Sequence, residues 1–193
     1  AASDVYKRQF LHCSGYKSND SNYTNYFGKI YEARYLSGLA AGSLTESNKI
    51  GYVAAFPIPE VIRGINAFAV GVKEVNPNAT VEVVWTNTWF GPEEETQAAN
   101  ALLEAGADVL TQHQDSASTG IAAEAAGAKW IGYHTGYGQD AAPNAFVTAP
   151  VWNWGPLYTE MVNAVINDEF TTTPYWTGMS GNVVDLFEVS DDV

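Results

Sequence analysis

The segment VVWTNTWFGPEEE, residues 83–95, combines two tryptophans and a phenylalanine at the point where an apolar run meets a Gly-Pro pair and three glutamates. Trp89 and Phe90 lie between the predicted end of a strand and the predicted start of a helix. A flat aromatic face in such a position could stack on a planar ligand. Alternatively, Trp85 fills the core and Trp89 covers it as part of a loop. The segment alone leaves both interpretations open.

A second group of candidate residues lies in TQHQDS, residues 111–116. His113 and Asp115 are two apart in an extended segment, so their side chains point to the same side. They could bind a metal or act as a general base, but no third ligand follows nearby and an isolated His-x-Asp pair is a weak metal signal. Two other interpretations remain: Gln112, His113 or Asp115 hydrogen-bonds a polar ligand, or Asp115 or Ser116 caps the next helix.

Motifs for catalysis are absent from the sequence. It contains no G-x-S-x-G nucleophile elbow and no phosphate-binding P-loop, and the glycines of GYHTGYG do not form the dinucleotide fingerprint. His12 and Cys13 are neighbours on a predicted strand and therefore face opposite ways, which argues against a nucleophile–base pair.

Composition limits the class of protein. The chain of 193 residues is long enough for one or two domains, and with 46% hydrophobic and 16% charged residues it is too apolar for disorder. It has no run of eighteen apolar residues that could span a bilayer. Its formal net charge of −13 predicts that it binds neither nucleic acid nor an anionic membrane surface. The lone cysteine, Cys13, leaves the compartment open.

Apolar patterns predict an α/β fold in which four strands alternate with helices. The strands are KIGYVAAF, TVEVVWT, ADVLTQH and KWIGYHT, and their continuous apolar character predicts a parallel sheet covered by helices on both faces. Pro59 and Pro92 suit the first turns of two helices, and Gly106 suits a helix C-terminus. Helical spacing from Tyr23 to Leu39 predicts another helix over residues 23–46.

The pattern changes after Tyr137. A strand NAFVTAPV, a helix over residues 154–170 and a strand VVDLFEV are predicted there. In open parallel sheets, ligands bind beyond the carboxyl ends of the strands. Four loops occupy such positions in the predicted sheet: AAFPIPE, NTWFGPE, QHQDSAS and HTGYGQD.

The order and spacing of these segments resemble the BMP (basic membrane protein, PnrA-like) family of substrate-binding lipoproteins of bacterial ABC transporters, and within it the branch associated with purine bases. The resemblance is carried by GYKSNDSNYTNYFGKIYEARYLSGLAAGSLTESNKIGYVAAFPIPEVIRGINAFAVGV, VVWTNTWFGPEEE, GADVLTQHQDS and WGPLY. It extends over about residues 10–190.

The resemblance implies an α/β fold of the type I periplasmic-binding-protein kind, with a parallel sheet, helices on both faces, and a ligand enclosed between two lobes joined by hinge strands. The second lobe is expected to be complete and the first partial, so the chain would be a fragment without most of the N-terminal lobe. The expected parts are a foreign or disordered leader (1–9), the last strand of the first lobe with the hinge (10–21), the second lobe (22–138), the return segment of the first lobe (139–176), and the hinge with the C-terminal strand (177–193).

Family members hold a purine base or nucleoside between aromatic rings, with acids and amides on the base edge and the sugar. The resemblance therefore implies ligand contacts from Trp89, Phe90, Asp115, His113, Gln112, Phe27, Tyr137 and Trp152. Two departures concern the sugar: GYHTGYGQD lacks the first aspartate of the family's G-V-D-x-D-Q, and Trp152 replaces a usual lysine. They favour a free base or another flat heterocycle over a nucleoside.

The function implied by the resemblance is capture of a small molecule and its delivery to an ABC permease in the membrane, with no catalysis, no metal and no cofactor. The full-length parent is expected at the periplasmic or extracellular face, held by a lipid on an N-terminus outside this chain. A receptor or regulatory domain of the same fold and, as a third alternative, a nucleoside-metabolising enzyme remain open.

Overall fold

Strands and helices alternate along residues 8–191 and 193, the part of the chain that the structure, a computed structural model, describes. The strands are β1 (Phe10–Cys13), β2 (Tyr23–Gly28), β3 (Lys49–Ala54), β4 (Thr80–Trp85), β5 (Val109–His113), β6 (Lys129–Ile131), β7 (Phe146–Thr148), β8 (Pro150–Trp152), β9 (Tyr175–Thr177) and β10 (Val184–Leu186). The helices are α1 (Tyr31–Leu44), α2 (Pro59–Val75), α3 (Pro92–Glu104), α4 (Ser118–Ala126), α5 (Gly138–Ala141) and α6 (Trp154–Ile166).

Contacts divide the chain into two units. The first comprises the described part of Ala1–Lys29 together with Trp152–Asp185, and the second comprises Ile30–Val151 with the described part of Leu186–Val193. The boundaries fall within β8 and β10, which pair with each other. The boundaries expected from the sequence, after residues 21, 138 and 176, concern the lobes of a longer protein, and assignment of these units to those lobes stays a prediction. The expected leader, residues 1–9, lies outside the described residues except for 8 and 9.

A five-stranded parallel sheet forms the centre of the second unit, in the order β4-β3-β5-β6-β7. Neighbouring residues of β3 face opposite sides, so Tyr52 packs with Phe68 of α2 while Val53 packs with Leu102 of α3. Buried residues of α1 and α2 cover one face, and those of α3 and α4 cover the other. The predicted α/β fold with helices on both faces is confirmed.

Proline and glycine punctuate this unit as the sequence predicts. Pro59 and Pro92 lie in the first turns of α2 and α3. The chain beyond α3 turns at Gly106, whose φ of +96° favours glycine. Two further glycines let α1 and α2 approach closely, because a Cβ on Gly38 would collide with the Phe68 carbonyl oxygen and one on Gly71 with that of Tyr35.

The first unit contains a three-stranded parallel sheet in the order β1-β2-β9, and it includes helix α6. The helix predicted over residues 23–46 is wrong in its first part. Tyr23–Gly28 is strand β2, and α1 begins only at Tyr31. The aromatic and β-branched residues of YTNYFG suit a strand, and their burial alternates with a period of two.

Two smaller predictions need correction. NAFVTAPV forms two short strands rather than one, because β7 pairs with β6 and β8 pairs with β10. The helix predicted over residues 154–170 ends at Ile166. Over the described residues, no helix has both the length and the apolar character needed to cross a bilayer.

Candidate functional site

Five rings form a continuous row along the carboxyl ends of β3 to β6. Centroid separations are 5.3 Å from Phe56 to Trp89, 6.0 Å from Trp89 to His113, 4.2 Å from His113 to Tyr133 and 4.8 Å from Tyr133 to His134. We call these five residues the ring row. Because all these strands are parallel, their carboxyl ends lie at one edge of the sheet, which brings residues distant in sequence together.

The members of the ring row differ in exposure. His113 and Tyr133 are buried, whereas Trp89 is 39% exposed and His134 is partly exposed. The partly exposed Phe56 ring and the buried His113 ring contact Trp89 and restrict its movement, and its exposed surface stays available. The row therefore combines a packing role for its inner members with an accessible aromatic face at Trp89, and the two interpretations of this tryptophan are compatible.

A buried arginine from α1 contacts the ring row from within. The Arg34 side chain is fully buried; its Nη2 donates to the Gln112 carbonyl oxygen at 2.7 Å and its Nη1 to the Thr111 hydroxyl at 3.4 Å. Its guanidinium carbon lies 4.3 Å from the centre of the Tyr133 ring, a cation–π arrangement. Arg34 thus joins the end of β5 to the loop after β6.

His113 is held in the neutral form. Its Nε2 lies 3.5 Å from a carboxylate oxygen of Glu60 on α2. Burial lowers the pKa of the His113 imidazole; the bond to Glu60 opposes this shift and the Arg34 charge reinforces it. The Glu60 carboxylate is the acceptor beside Nε2, so it favours the tautomer of the neutral ring that carries its proton on Nε2.

Asp115 and His134 form the polar part of the site. His134 Nε2 lies 3.5 Å from Asp115 Oδ1, and both side chains are partly exposed. Burial lowers the pKa of His134, and the Asp115 carboxylate opposes this shift. The backbone of His134 has a φ of +48°, an uncommon conformation for a non-glycine residue. This strain is consistent with a side chain that the loop holds in a set direction.

A cavity of about 200 Å³ adjoins this pair. Asp115, Ser116, Tyr133, His134 and Tyr137 are among its lining residues. Tyr137 itself is 84% exposed. The cavity thus brings together Gln112, Asp115 and Tyr137, three of the residues that the sequence predicts as ligand contacts.

Gln112 and Phe90, two of the predicted contacts, differ in their surroundings. Gln112 is buried and its amide donates to the carbonyl oxygens of Gln114 and Ser116, so it holds the loop after β5. Phe90 follows Trp89 but is 65% exposed and does not belong to the ring row. Neither Asp115 nor Ser116, the two proposed caps, is the N-cap of α4, which is Ala117 without a side-chain cap; Ser116 lies one residue earlier and accepts a hydrogen bond from the Ser118 amide at 3.2 Å. Ligand roles for Gln112 and Phe90 stay predictions.

Phe27 and Trp152, both in the first unit, contact each other with ring centroids 5.0 Å apart. Trp152 also stacks on Trp154 at 4.9 Å, and Trp154 stacks on Tyr158 at 6.3 Å. Phe27 is on a strand rather than on the predicted helix, which turns its side chain towards this aromatic cluster. Their ligand role stays a prediction.

Several residues of the site were missed from the sequence. Arg34, Glu60 and Tyr133 were not singled out, although Tyr133 follows a predicted strand. A signal for Arg34 existed, since it is a charged residue in the apolar stretch of a predicted helix. Among residues 8–191 and 193, no group of three His, Cys, Asp or Glu side chains is arranged to hold a metal ion.

The parallel α/β sheet with helices on both faces is the fold of periplasmic-binding-protein-like solute-binding proteins, and it also occurs in transcription regulators. A solved structure of an ABC transporter solute-binding protein from Conexibacter woesei has the same fold, with a TM-score of 0.76 and 21% identity, covering 94% of this chain and 61% of that one. The family model described as ABC transporter substrate-binding protein PnrA-like matches residues 1–193. The chain belongs to this family, and the resemblance inferred from the sequence is confirmed.

Two relatives in the family have names that state a ligand. A Haloferax volcanii protein, provisionally named as an ABC transporter glucose-binding protein, is 43% identical over 192 residues, which cover 100% of this chain and 49% of the relative. A purine-binding protein of Brucella abortus is 37% identical over 178 residues, which cover 92% and 50%. The chain thus spans about half the length of these relatives. The family comprises substrate-binding components of transporters rather than enzymes.

Proposed function

We propose that the protein is the extracytoplasmic solute-binding component of an ABC importer, and that it captures a purine base or a similar flat heterocycle for delivery to a membrane permease. The observation that carries this proposal is the ring row, in which an accessible tryptophan lies at the same sheet edge as the Asp115–His134 pair. We further propose an extracytoplasmic location, with a lipid anchor on the full-length parent.

Stacking on Trp89 supplies the part of the binding energy that does not depend on which flat ring is bound. A base stacked on an aromatic side chain gains about 1–3 kcal/mol. The contacts of Trp89 with Phe56 and His113 fix the plane of the indole before the ligand arrives. A ligand therefore loses less free energy to ordering of this side chain on binding.

Selectivity for the edge of the ring comes from the polar pair. The Asp115 carboxylate accepts hydrogen bonds from ring N–H or exocyclic amino groups, and a neutral His134 offers one donor and one acceptor. A site built to pair with such groups rejects rings without them, because its own polar atoms would then stay unpaired. Purine bases carry donors and acceptors next to one another along one edge, which suits this pair.

The two named relatives set the competing ligands. One name states purine and the other glucose, and a tryptophan face can contact either a base or a sugar ring. In the nucleoside-binding branch an aspartate is usual at the position of His134 and a lysine at the position of Trp152. The loss of these two polar contacts to a sugar supports a free base as the ligand. Phe27, Gln112, Phe90, Tyr137 and Trp152 remain proposed ligand contacts.

Calorimetric titration of the full-length parent tests the proposal. The ligands are adenine, guanine, hypoxanthine, their nucleosides and D-glucose. We expect at least one base to bind more tightly than its nucleoside and than D-glucose. If D-glucose binds and none of the purines does, the ligand of the site is a sugar rather than a purine. Absence of binding to every purine by the folded protein would remove the purine assignment.

A further inference from the structure

We propose that Glu95 is a positioning residue of the ligand site, which holds the loop that carries Trp89 to the loop that carries Asp115. This inference rests on the proposed function, because it concerns the geometry of the same site. Glu95 lies in the first turn of α3 and does not belong to the ring row. It therefore acts on the ligand through the two loops.

The carboxylate of Glu95 joins the two loops directly. One oxygen accepts a hydrogen bond from the Gly91 amide at 3.1 Å, in the loop after β4. The other accepts a hydrogen bond from the Ser116 hydroxyl at 2.6 Å, in the loop after β5. The Ser116 hydroxyl in turn accepts from the Ser118 amide at 3.2 Å, which ties the bridge to the start of α4.

Trp89 and Asp115 lie on either side of this bridge and are also joined through the backbone. The Asp115 amide donates to the Trp89 carbonyl oxygen at 3.0 Å. We assign the side-chain amide of Gln114 with its nitrogen towards the Thr88 and Trp89 carbonyl oxygens, 3.0 Å away each, because in the opposite orientation its oxygen would face only acceptors. The stacking residue and the carboxylate of the site thus share a common set of hydrogen bonds.

Helix capping alone does not account for Glu95. Its bond to Gly91 is a capping interaction at the start of α3, but Glu93 and Glu94 already place negative charge on that turn. Both of those residues are exposed, whereas Glu95 is fully buried. Burial raises the pKa of the Glu95 carboxyl, hydrogen bonds from Ser116 and Gly91 oppose that shift, and the charges of Asp115 and Glu94 add to it.

Burial of the Glu95 carboxyl costs free energy, which is consistent with a role in addition to capping α3. The bond to Ser116 reaches another loop, and a side chain that only capped α3 would not need it. Through this bond, a displacement of the β5–α4 loop also displaces the loop that carries Trp89. The distance between the aromatic face and the carboxylate of the site is thereby set before the ligand binds.

The test uses Ser116→Ala, which removes the bridge between loops and leaves the Gly91 bond intact. Glu95→Gln is the conservative variant, because an amide can still join Gly91 and Ser116. Glu94→Gln is the exposed control on the same turn. All are made in the full-length parent and titrated with adenine, guanine and hypoxanthine, and amide hydrogen exchange is measured on the free protein over residues 86–91 and 114–117.

We expect Ser116→Ala to weaken binding of the bound base at least threefold and to speed amide exchange in both loops. Glu95→Gln and Glu94→Gln should stay within about twofold of the parent. Unchanged exchange in Ser116→Ala would overturn the positioning role, and so would unchanged affinity despite faster exchange. If the parent binds none of the three bases, the proposed function fails, and exchange alone then decides whether the bridge fixes the loops.

Discussion

Arg34 lies with its guanidinium carbon 4.3 Å from the centre of the Tyr133 ring, deep within the second unit. Its two described hydrogen bonds go to neutral oxygens, those of Gln112 and Thr111, and a second tyrosine ring, Tyr52, lies 5.4 Å away. A buried cation is thus stabilised by a carbonyl dipole, a hydroxyl and aromatic faces. This arrangement places the guanidinium against the inner part of the ring row.

Replacement of this arginine by lysine should destabilise the fold. Arg34→Lys keeps the charge but loses the planar group that donates twice and stacks on Tyr133, so we expect a loss of about 2 kcal/mol in the free energy of unfolding. Urea denaturation measures it. Arg63→Lys is the control, because Arg63 also lies over a tyrosine, Tyr31 at 5.4 Å, but is only partly buried. If Arg34→Lys and Arg63→Lys lose the same free energy of unfolding, the buried position of Arg34 does not increase its contribution to stability.

Two variants distinguish the proposed stacking role of Trp89 from that of its neighbour Phe90. Trp89→Ala should weaken binding of the purine base at least tenfold, about 1.4 kcal/mol, because it removes the accessible face of the ring row. Phe90→Ala should leave the affinity within about twofold, since Phe90 lies outside that row. Calorimetry on both variants decides. A larger effect from Phe90→Ala would move the stacking surface to that residue.

Stability should fall as pH drops below about 6.5, the ordinary histidine value. The pKa of buried His113 is lowered in the folded state, so in this window the unfolded chain takes up a proton that the folded chain does not. His113→Gln should therefore reduce the slope of unfolding free energy against pH between roughly pH 7 and 5.5. Burial lowers the pKa of His134 as well, so part of the pH dependence of the unfolding free energy should remain in His113→Gln. An unchanged slope in His113→Gln would falsify this assignment.

Close contact between α1 and α2 predicts opposite effects of alanine at two glycines of α2. Gly71→Ala places a methyl group against the Tyr35 carbonyl oxygen and should cost about 2 kcal/mol or more. At Gly64 the nearest atom to an added Cβ is 3.8 Å away, an ordinary contact. Gly64→Ala should therefore be neutral or stabilise by up to about 1 kcal/mol through helix propensity. Thermal unfolding of the pair distinguishes them, and similar melting temperatures would contradict the packing described.

Sequence reasoning predicted the central sheet because the apolar runs of β3 to β6 and the prolines at Pro59 and Pro92 carry local signals. It failed at Tyr23–Gly28, where aromatic residues happen to recur at helical spacing and where pairing with β1 and β9 decides the outcome. Pairing with β9 joins residues far apart in the chain, so helical spacing within the segment does not report it, and the aromatic and β-branched composition of YTNYFG is the only local signal for a strand that we recognise there. Periodicity alone therefore could not separate strand from helix in this segment.

For the site, the sequence identified the loops but not their inner partners. Trp89, His113 and Asp115 were candidates because they follow strands, and the structure places them along one edge of the sheet. Arg34 reaches this edge from a helix that comes earlier in the chain, and Glu95 reaches it from the first turn of another. Both contacts depend on tertiary packing, which one-dimensional spacing does not encode.

The rings of the row come from the ends of four strands that are separate in the chain: Phe56 follows β3, Trp89 follows β4, His113 ends β5, and Tyr133 and His134 follow β6. Phe56 and Trp89 lie outside the paired strand residues, so we expect a change at either to alter one surface of the site while the register of β3, β4 and β5 stays the same. Such modularity lets ligand preference change by single substitutions on a constant scaffold. Names as different as purine-binding and glucose-binding among relatives are what such evolvability would produce.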